Sequence, residues 1–150
     1  MNKQEQLYRL IWLSRPLMQA AEARVEQALD GTGLTVRMRA VLEILHVHGD
    51  ATVPEIALKL EIQRQYVQVM VNETLAEGLT VGGPNPRHRR STMIALTPKG
   101  KRLIEEVITR ENHIVQRMAT GIRAEDIATA LNVVTEMIAK LKADAEDQSA

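Results

Sequence analysis

From residue 3 to residue 30, apolar side chains recur at spacings of three and four: Leu7, Leu10, Ile11, Leu17, Met18, Ala21, Val25, Ala28 and Leu29, with Ser14 on the same stripe. That period predicts one long amphipathic helix. Pro16 lies inside it. A proline there removes a backbone donor and crowds the preceding turn, so a kink is expected near Trp12 to Pro16. Gly31-Thr32-Gly33 stops the pattern. At about 1.5 Å per residue the element would reach about 40 Å, longer than a small domain needs. Part of its stripe is therefore expected to meet a second chain.

Leu34-Thr35 opens a second helix with Thr35 as N-cap. Val36, Ala40, Val41, Ile44, Leu45 and Val47 are its expected buried face, and His48-Gly49-Asp50 its end. Thr52-Val53-Pro54-Glu55 has the form of a capping box with proline in the first turn. The short helix it starts runs to Leu60 and buries Ile56, Ala57 and Leu60. A tight Glu61-Ile62-Gln63 link leads into the next helix, so the pair reads as a helix-turn-helix. In that next helix Val67, Met70, Val71, Thr74 and Leu75 share one face, and Arg64, Gln65, Gln68, Val69 and Asn72 the other. Long amides on such an outward face suit bidentate contacts with adenine edges, although the same pattern also describes an ordinary solvated face.

After Glu77-Gly78-Leu79 the period shortens to that of strands: Thr80-Val81 begins one, and TMIALT forms a second. Between them lies Pro84-Asn85-Pro86-Arg87-His88-Arg89-Arg90. A basic hairpin directly after a candidate recognition helix is the layout of a winged helix-turn-helix. Thr97-Pro98 starts another helix, striped with Leu103, Ile104, Val107, Ile108, Ile114, Val115 and Met118 and broken at Thr120-Gly121. A last helix is expected from about Ala124 to Ala143, with Ile127, Leu131, Val134, Ile138 and Leu141 inside and a frayed acidic tail, AEDQSA. The fold class is thus mainly α with a small β-hairpin. Residues 34–97 form a winged helix-turn-helix DNA-binding domain, and residues 1–33 and 98–150 a helical dimerisation region. The two arms carry more apolar stripe than the central module can cover, which favours a two-fold homodimer over a compact monomer.

Composition narrows this further. Aromatic residues are 2%, with no Phe, so the core must be aliphatic. Net charge is +0, so a nucleic-acid role has to rest on where charges sit. Pro84 to Arg102 holds Arg87, Arg89, Arg90, Lys99, Lys101 and Arg102 and no acidic residue. There are no cysteines, which removes disulfides, thiolate metal sites and a cysteine redox switch. The N-terminus lacks a signal-peptide pattern and no apolar run is long enough for a membrane span, so a cytoplasmic protein without membrane association is expected. His46 and His48 would point about 200° apart on a helix and cannot share a metal ion. With no HExxH, GxSxG or phosphate loop, and with Ser14, Ser91 and Ser149 lacking a nearby base, no catalytic residue, metal site or cofactor is expected.

Over nearly its whole length the chain resembles the MarR family of winged-helix regulators. The resemblance rests on Leu34-Thr35, on Glu77-Gly78-Leu79, on the wing string Pro84 to Arg90, and on Leu96-Thr97-Pro98-Lys99-Gly100 at this distance from it. It implies an obligate dimer that binds a double-stranded, pseudo-palindromic operator, usually as a repressor. It also implies release by a small aromatic or phenolic effector held between the dimer region and the winged domain. Major-groove contacts are expected from Gln65, Tyr66 and Gln68, phosphate contact from Arg64, and minor-groove or backbone contact from Arg87, Arg89 and Arg90. Trp12, Arg15, Met18 and Arg39 are the candidate effector-binding residues. Three positions depart from the family's habit: His88 stands for a wing aspartate, and Val69 for a basic or polar DNA-facing residue. Asn72 replaces an acidic partner of the wing arginine, here Arg90, so a hydrogen bond between the two should replace an ion pair. The rival readings are a regulator of the same fold that answers to protein partners, and a helical dimer that never touches DNA.

Overall fold

The computed structural model describes residues 1–149. Its elements are α1 (Lys3–Ala28), α2 (Val36–His48), α3 (Val53–Leu60), α4 (Arg64–Ala76), β1 (Thr80–Pro84), β2 (Thr92–Leu96), α5 (Pro98–Ala119) and α6 (Ala124–Ser149). One compact unit spans Met1–Asn112 and a second begins at His113.

Local chemistry sets most boundaries. The Thr35 side chain accepts from the Met38 N–H at 3.1 Å, and that of Thr52 from Glu55 N–H at 3.3 Å. Only the threonine half of the expected box at Thr52 is formed among the described contacts. A complete box stands at the start of α1, where Asn2 Oδ1 accepts from Glu5 N–H and Glu5 Oε2 from Asn2 N–H, a signal present in the sequence as Asn-x-x-Glu. α1 is continuous through Pro16. The tail departs from expectation: α6 runs to Ser149. Residues 143–149 contain no helix breaker, and Gln148 bonds back to Asp144 and Ser149 to the Ala145 carbonyl.

α2 is the centre of the first unit, and its buried face feeds two apolar clusters. Val41 and Leu45 face a cluster with Ile56, Ala57, Val67, Met70, Val71 and Ile94. Met38 and Leu42 face a second with Leu29, Leu34, Leu79, Ile104 and Val107. Val36 and Val47, expected inside, are exposed. Burial of each such Leu, Ile or Val is worth about 1.5–3 kcal/mol relative to exposure, so α2 ties the helix-turn-helix to the base of α5. A bidentate bridge reinforces this, Arg39 on α2 holding Glu111 on α5 with both N–H···O distances at 2.6 Å. Arg110 donates to the Ala28 and Asp30 carbonyls at 3.0 and 2.8 Å, satisfying the open end of α1.

β1 and β2 pair antiparallel from Thr80↔Leu96 to Pro84↔Thr92. Ala51 adds a bridge to Ile94, with N–H···O bonds of 3.1 and 2.8 Å in the two directions. Ile94 points into the core beneath the helix-turn-helix. The hairpin is therefore anchored at its root on both the α2–α3 connection and the core.

Candidate nucleic-acid interface

The α3–α4 corner turns on Glu61, a left-handed residue at φ 55, ψ 41. It caps α3 and lets α4 start after Gln63, whose side chain makes no cap bond. Val67, Met70, Val71 and Thr74 lock one face of α4 into the core. Arg64, Gln65, Gln68, Val69 and Asn72 are exposed on the other. Tyr66, 48% exposed, sits at the α2 side of that face. There Arg37 donates to Glu73 at 2.8 and 3.4 Å, pinning α4 to α2. The Glu73 hydrogen bond, then that of Tyr66, holds the Arg37 guanidinium above its ordinary value.

Two consecutive turns fold the tip of the hairpin. His88 N–H bonds the Asn85 carbonyl and Ser91 N–H the His88 carbonyl, each at 3.2 Å. Asn85 stitches them together, its Oδ1 accepting from Arg87 N–H at 3.0 Å and its Nδ2 donating to Ser91 Oγ at 2.8 Å. Arg87, Arg89 and Arg90 project from this frame, exposed, and none makes an ion pair among the described residues. Arg90 and Gln68 line the same cleft, together with Pro54, Leu75 and Ser91, so the wing root lies beside the outward face of α4.

Buried contacts fix the angle between wing and helix. Thr74 of α4 and Thr80 of β1 share a buried hydroxyl hydrogen bond of 2.8 Å. Thr97 Oγ1 donates to the Gly78 carbonyl at 2.7 Å and Lys99 Nζ to the Glu77 carbonyl at 3.0 Å. Lys99 is thus committed to the end of α4. At Gly100 the chain passes so close to Leu79 that a Cβ would lie 2.0 Å from the Leu79 carbonyl oxygen, which is why this position takes glycine.

One expected contact is absent. Asn72 does not bond Arg90; its Oδ1 accepts from Gln68 Nε2 at 2.9 Å. The two amides stand one helical turn apart on the same face, so the shorter reach wins. The hydrogen bonds of Arg37, Thr74 and Thr80 escaped the sequence reading, which had no signal for pairs brought together by packing.

A sequence profile described as the MarR family matches residues 32–91, from just before α2 to the tip of the wing. The crystal structure of the MarR family transcription regulator SP03579 is 30% identical. It superposes with a TM-score of 0.84 over 97% of this chain and 95% of that one. The chain belongs to the MarR family. Among other relatives, the HTH-type transcriptional repressor MdtR of Bacillus subtilis is 26% identical over 145 residues, 96% of this chain and 94% of its own length. An uncharacterised Mycobacterium tuberculosis protein, Rv2011c, is 31% identical over 104 residues, 68% of this chain and 73% of its own. The protein is accordingly a MarR-type transcriptional regulator with a DNA-binding winged helix-turn-helix, and regulators of this family bind DNA and act as dimers.

Of the four effector candidates in this MarR-type chain, Trp12, Arg15 and Met18 lie on α1 and Arg39 on α2. Trp12 and Met18 are 51% and 56% exposed on α1, and the Arg15 guanidinium lies 5.6 Å from the centre of the Trp12 ring. Arg39 is occupied by Glu111 and Glu43. Hydrogen bonding from Glu111 raises its guanidinium further, against the opposing effect of burial. No helix among the described residues is long and apolar enough to cross a membrane. No group of three or more His, Asp or Glu among them could hold a metal ion.

Proposed function

We propose that the protein is a homodimeric repressor that grips a pseudo-palindromic operator with two copies of the α4–wing unit. Residues 34–97 would bind DNA, and residues 1–33 and 98–150 would form the dimer. The observation that carries this reading is the exposed α4 face of Arg64, Gln65, Gln68 and Asn72 beside a wing tip whose three arginines have no ionic partner in the described chain. Exposed cations without partners are what counterion release from a phosphate backbone needs. Gln65, Tyr66 and Gln68 would read bases, Arg64 would take a phosphate at the helix start, and Arg87, Arg89 and Arg90 would follow the flanking groove.

The dimer is supported by apolar surface that a lone chain leaves in water. On α6, Leu131, Ile138 and Leu141 are 50–64% exposed although they share one stripe. On α1, Leu13, Leu17 and Met18 are 56–68% exposed. The designation of MdtR as a repressor supports the sign of regulation. The effector belongs to the same reading: an aromatic acid could lay its ring beside Trp12 and Met18 and its carboxylate on Arg15. Arg39 would join only by releasing a carboxylate.

Titration of a fluorescent duplex taken from upstream of the protein's own gene, with sedimentation of the complex, tests the reading. Two chains per operator and a salt-dependent affinity are expected. A protein that sediments as single chains and binds no duplex at low salt would refute it.

A further inference from the structure

α4 carries a feature that the general docking of a recognition helix does not require. Gln68 and Asn72 are both exposed, yet their side chains are bonded to each other rather than left to solvent. A glutamine at a base edge suits adenine, but an unrestrained one is not confined to it. Its carboxamide rotates freely, so its NH2 can turn both hydrogens towards the N7 and O6 acceptors of guanine. Here one Nε2 hydrogen is spent on Asn72 Oδ1 at 2.9 Å. What remains on Gln68 is one N–H and the Oε1 acceptor. Adenine offers that complement in the major groove, with N7 as acceptor and N6–H as donor. Guanine offers two acceptors and cytosine a donor alone. The bond also fixes the amide plane before DNA arrives, so less rotamer freedom is lost on binding.

We propose that Asn72 is a positioning residue for specificity: it holds the Gln68 carboxamide in the orientation that accepts adenine and refuses guanine. This rests on the DNA-binding reading above and deepens it, since it names the base that the helix centre selects in each half-site. The freedom of Asn72 for this task follows from its separation from the wing. It makes no bond to Arg90, so the wing does not compete for its oxygen. Its exposure means that a change there leaves the apolar core untouched.

The experiment is a selection of bound sites from a random duplex library with the full-length protein. Anisotropy titrations then follow on the enriched duplex and on its single-base variants, for wild type, Gln68→Ala, Asn72→Ala, Asn72→Asp and the Gln68→Ala, Asn72→Ala double variant. The wild type should enrich an A·T pair at one position of each half-site and bind its G·C variant roughly tenfold more weakly. Gln68→Ala and Asn72→Ala should both lose that preference, at the same position. The double variant should discriminate no worse than Gln68→Ala, because the two side chains act as one unit. Asn72→Asp separates positioning from direct contact. An aspartate still accepts from Gln68 Nε2 but cannot donate to a base. It should retain the adenine preference while weakening binding to every duplex through its added negative charge. The proposal is overturned if Asn72→Ala discriminates as the wild type does, or loses a different position from Gln68→Ala. Loss of the adenine preference in Asn72→Asp would overturn it as well. If the wild type enriches no sequence and binds no duplex, the DNA-binding reading itself falls and takes this inference with it.

Discussion

Substituting Gly100 with alanine should uncouple the wing from the helix that supports it. The added Cβ would lie 2.0 Å from the Leu79 carbonyl oxygen and 2.9 Å from its carbon, so the two segments must part by at least about 1 Å. That oxygen is also the acceptor for Thr97 N–H at 3.0 Å, the bond that closes the joint between β2 and α5. Leu79 is 2% exposed and packs with Ile104 and Val107, so neither side can retreat without opening the core. Overpacking of this kind costs about 1–3 kcal/mol, and stretching the Thr97 bond about 1 more. Replacing glycine in a helix returns about 1. The net expectation is a loss of about 2 kcal/mol, a fall of about 6 °C in melting temperature for a chain of this size. Thermal melts by circular dichroism at fixed protein concentration measure it, because an associating protein melts higher when concentrated. Gly83→Ala is the control: nothing lies within 4 Å of its added methyl, and its melt should move little. A Gly100→Ala protein melting at or above the wild-type temperature would show that the approach to Leu79 is not tight, and the account of the wing joint would be wrong.

Glu111→Ala should destabilise the fold by about 2 kcal/mol in urea titrations, because it leaves the largely buried Arg39 with Glu43 as its one carboxylate partner, whereas Arg39→Met with Glu111→Leu should recover most of the loss. Arg39 is raised above its ordinary value by Glu111, so its contribution is complete at every pH below that value. The Arg39–Glu111 coupling measured by a double-mutant cycle should therefore stay constant from about pH 7 to about pH 10. Arg89→Ala should weaken binding to specific and random duplexes alike and flatten the salt slope by about one unit; an unchanged slope would place Arg89 off the phosphates. Val69 is 52% exposed between the amides and suits thymine methyl groups. Replacing thymine by uracil across the enriched site should weaken the wild type and leave Val69→Ala unaffected. Quenching of Trp12 fluorescence by a phenolic acid, lost in Arg15→Ala, is expected from the effector reading; no change with any such acid at millimolar concentration would count against it.

What was legible in the sequence was local. Thr35, Thr52 and Thr97-Pro98 mark helix starts because a cap acts within three residues of itself. The hairpin was legible because its strands flank a single basic, proline-bracketed tip. Periodicity on α2 missed where the buried arc is centred: Met38, Val41, Leu42 and Leu45 form one i, i+3, i+4, i+7 stripe, and Val36 and Val47 fall outside it. It failed at the tail because acidity suggested fraying, while alanine, aspartate and glutamine are adequate helix residues without a breaker among them. Within the candidate interface the residue types and the outward face of α4 were readable. The Asn72 partner was not: Arg90 was expected, and Gln68, one helical turn away on the same face, takes the bond instead. Gly100 was recognised as part of a string, but its necessity comes from a backbone 21 positions earlier in the chain, Leu79. No local rule reports such a contact.

Since α2 gives buried residues to both apolar clusters, with Leu96 of β2 packed against each, it works as a rocker between two seats. A push on the Leu29 and Ile104 seat cannot be absorbed as slack, because close-packed interiors pass displacement on. It emerges at Val67 and Val71, beneath the surface that faces the groove. A change of tilt at the remote end of this one rod therefore alters the pitch at which the amides meet the bases, with no moving loop between the two.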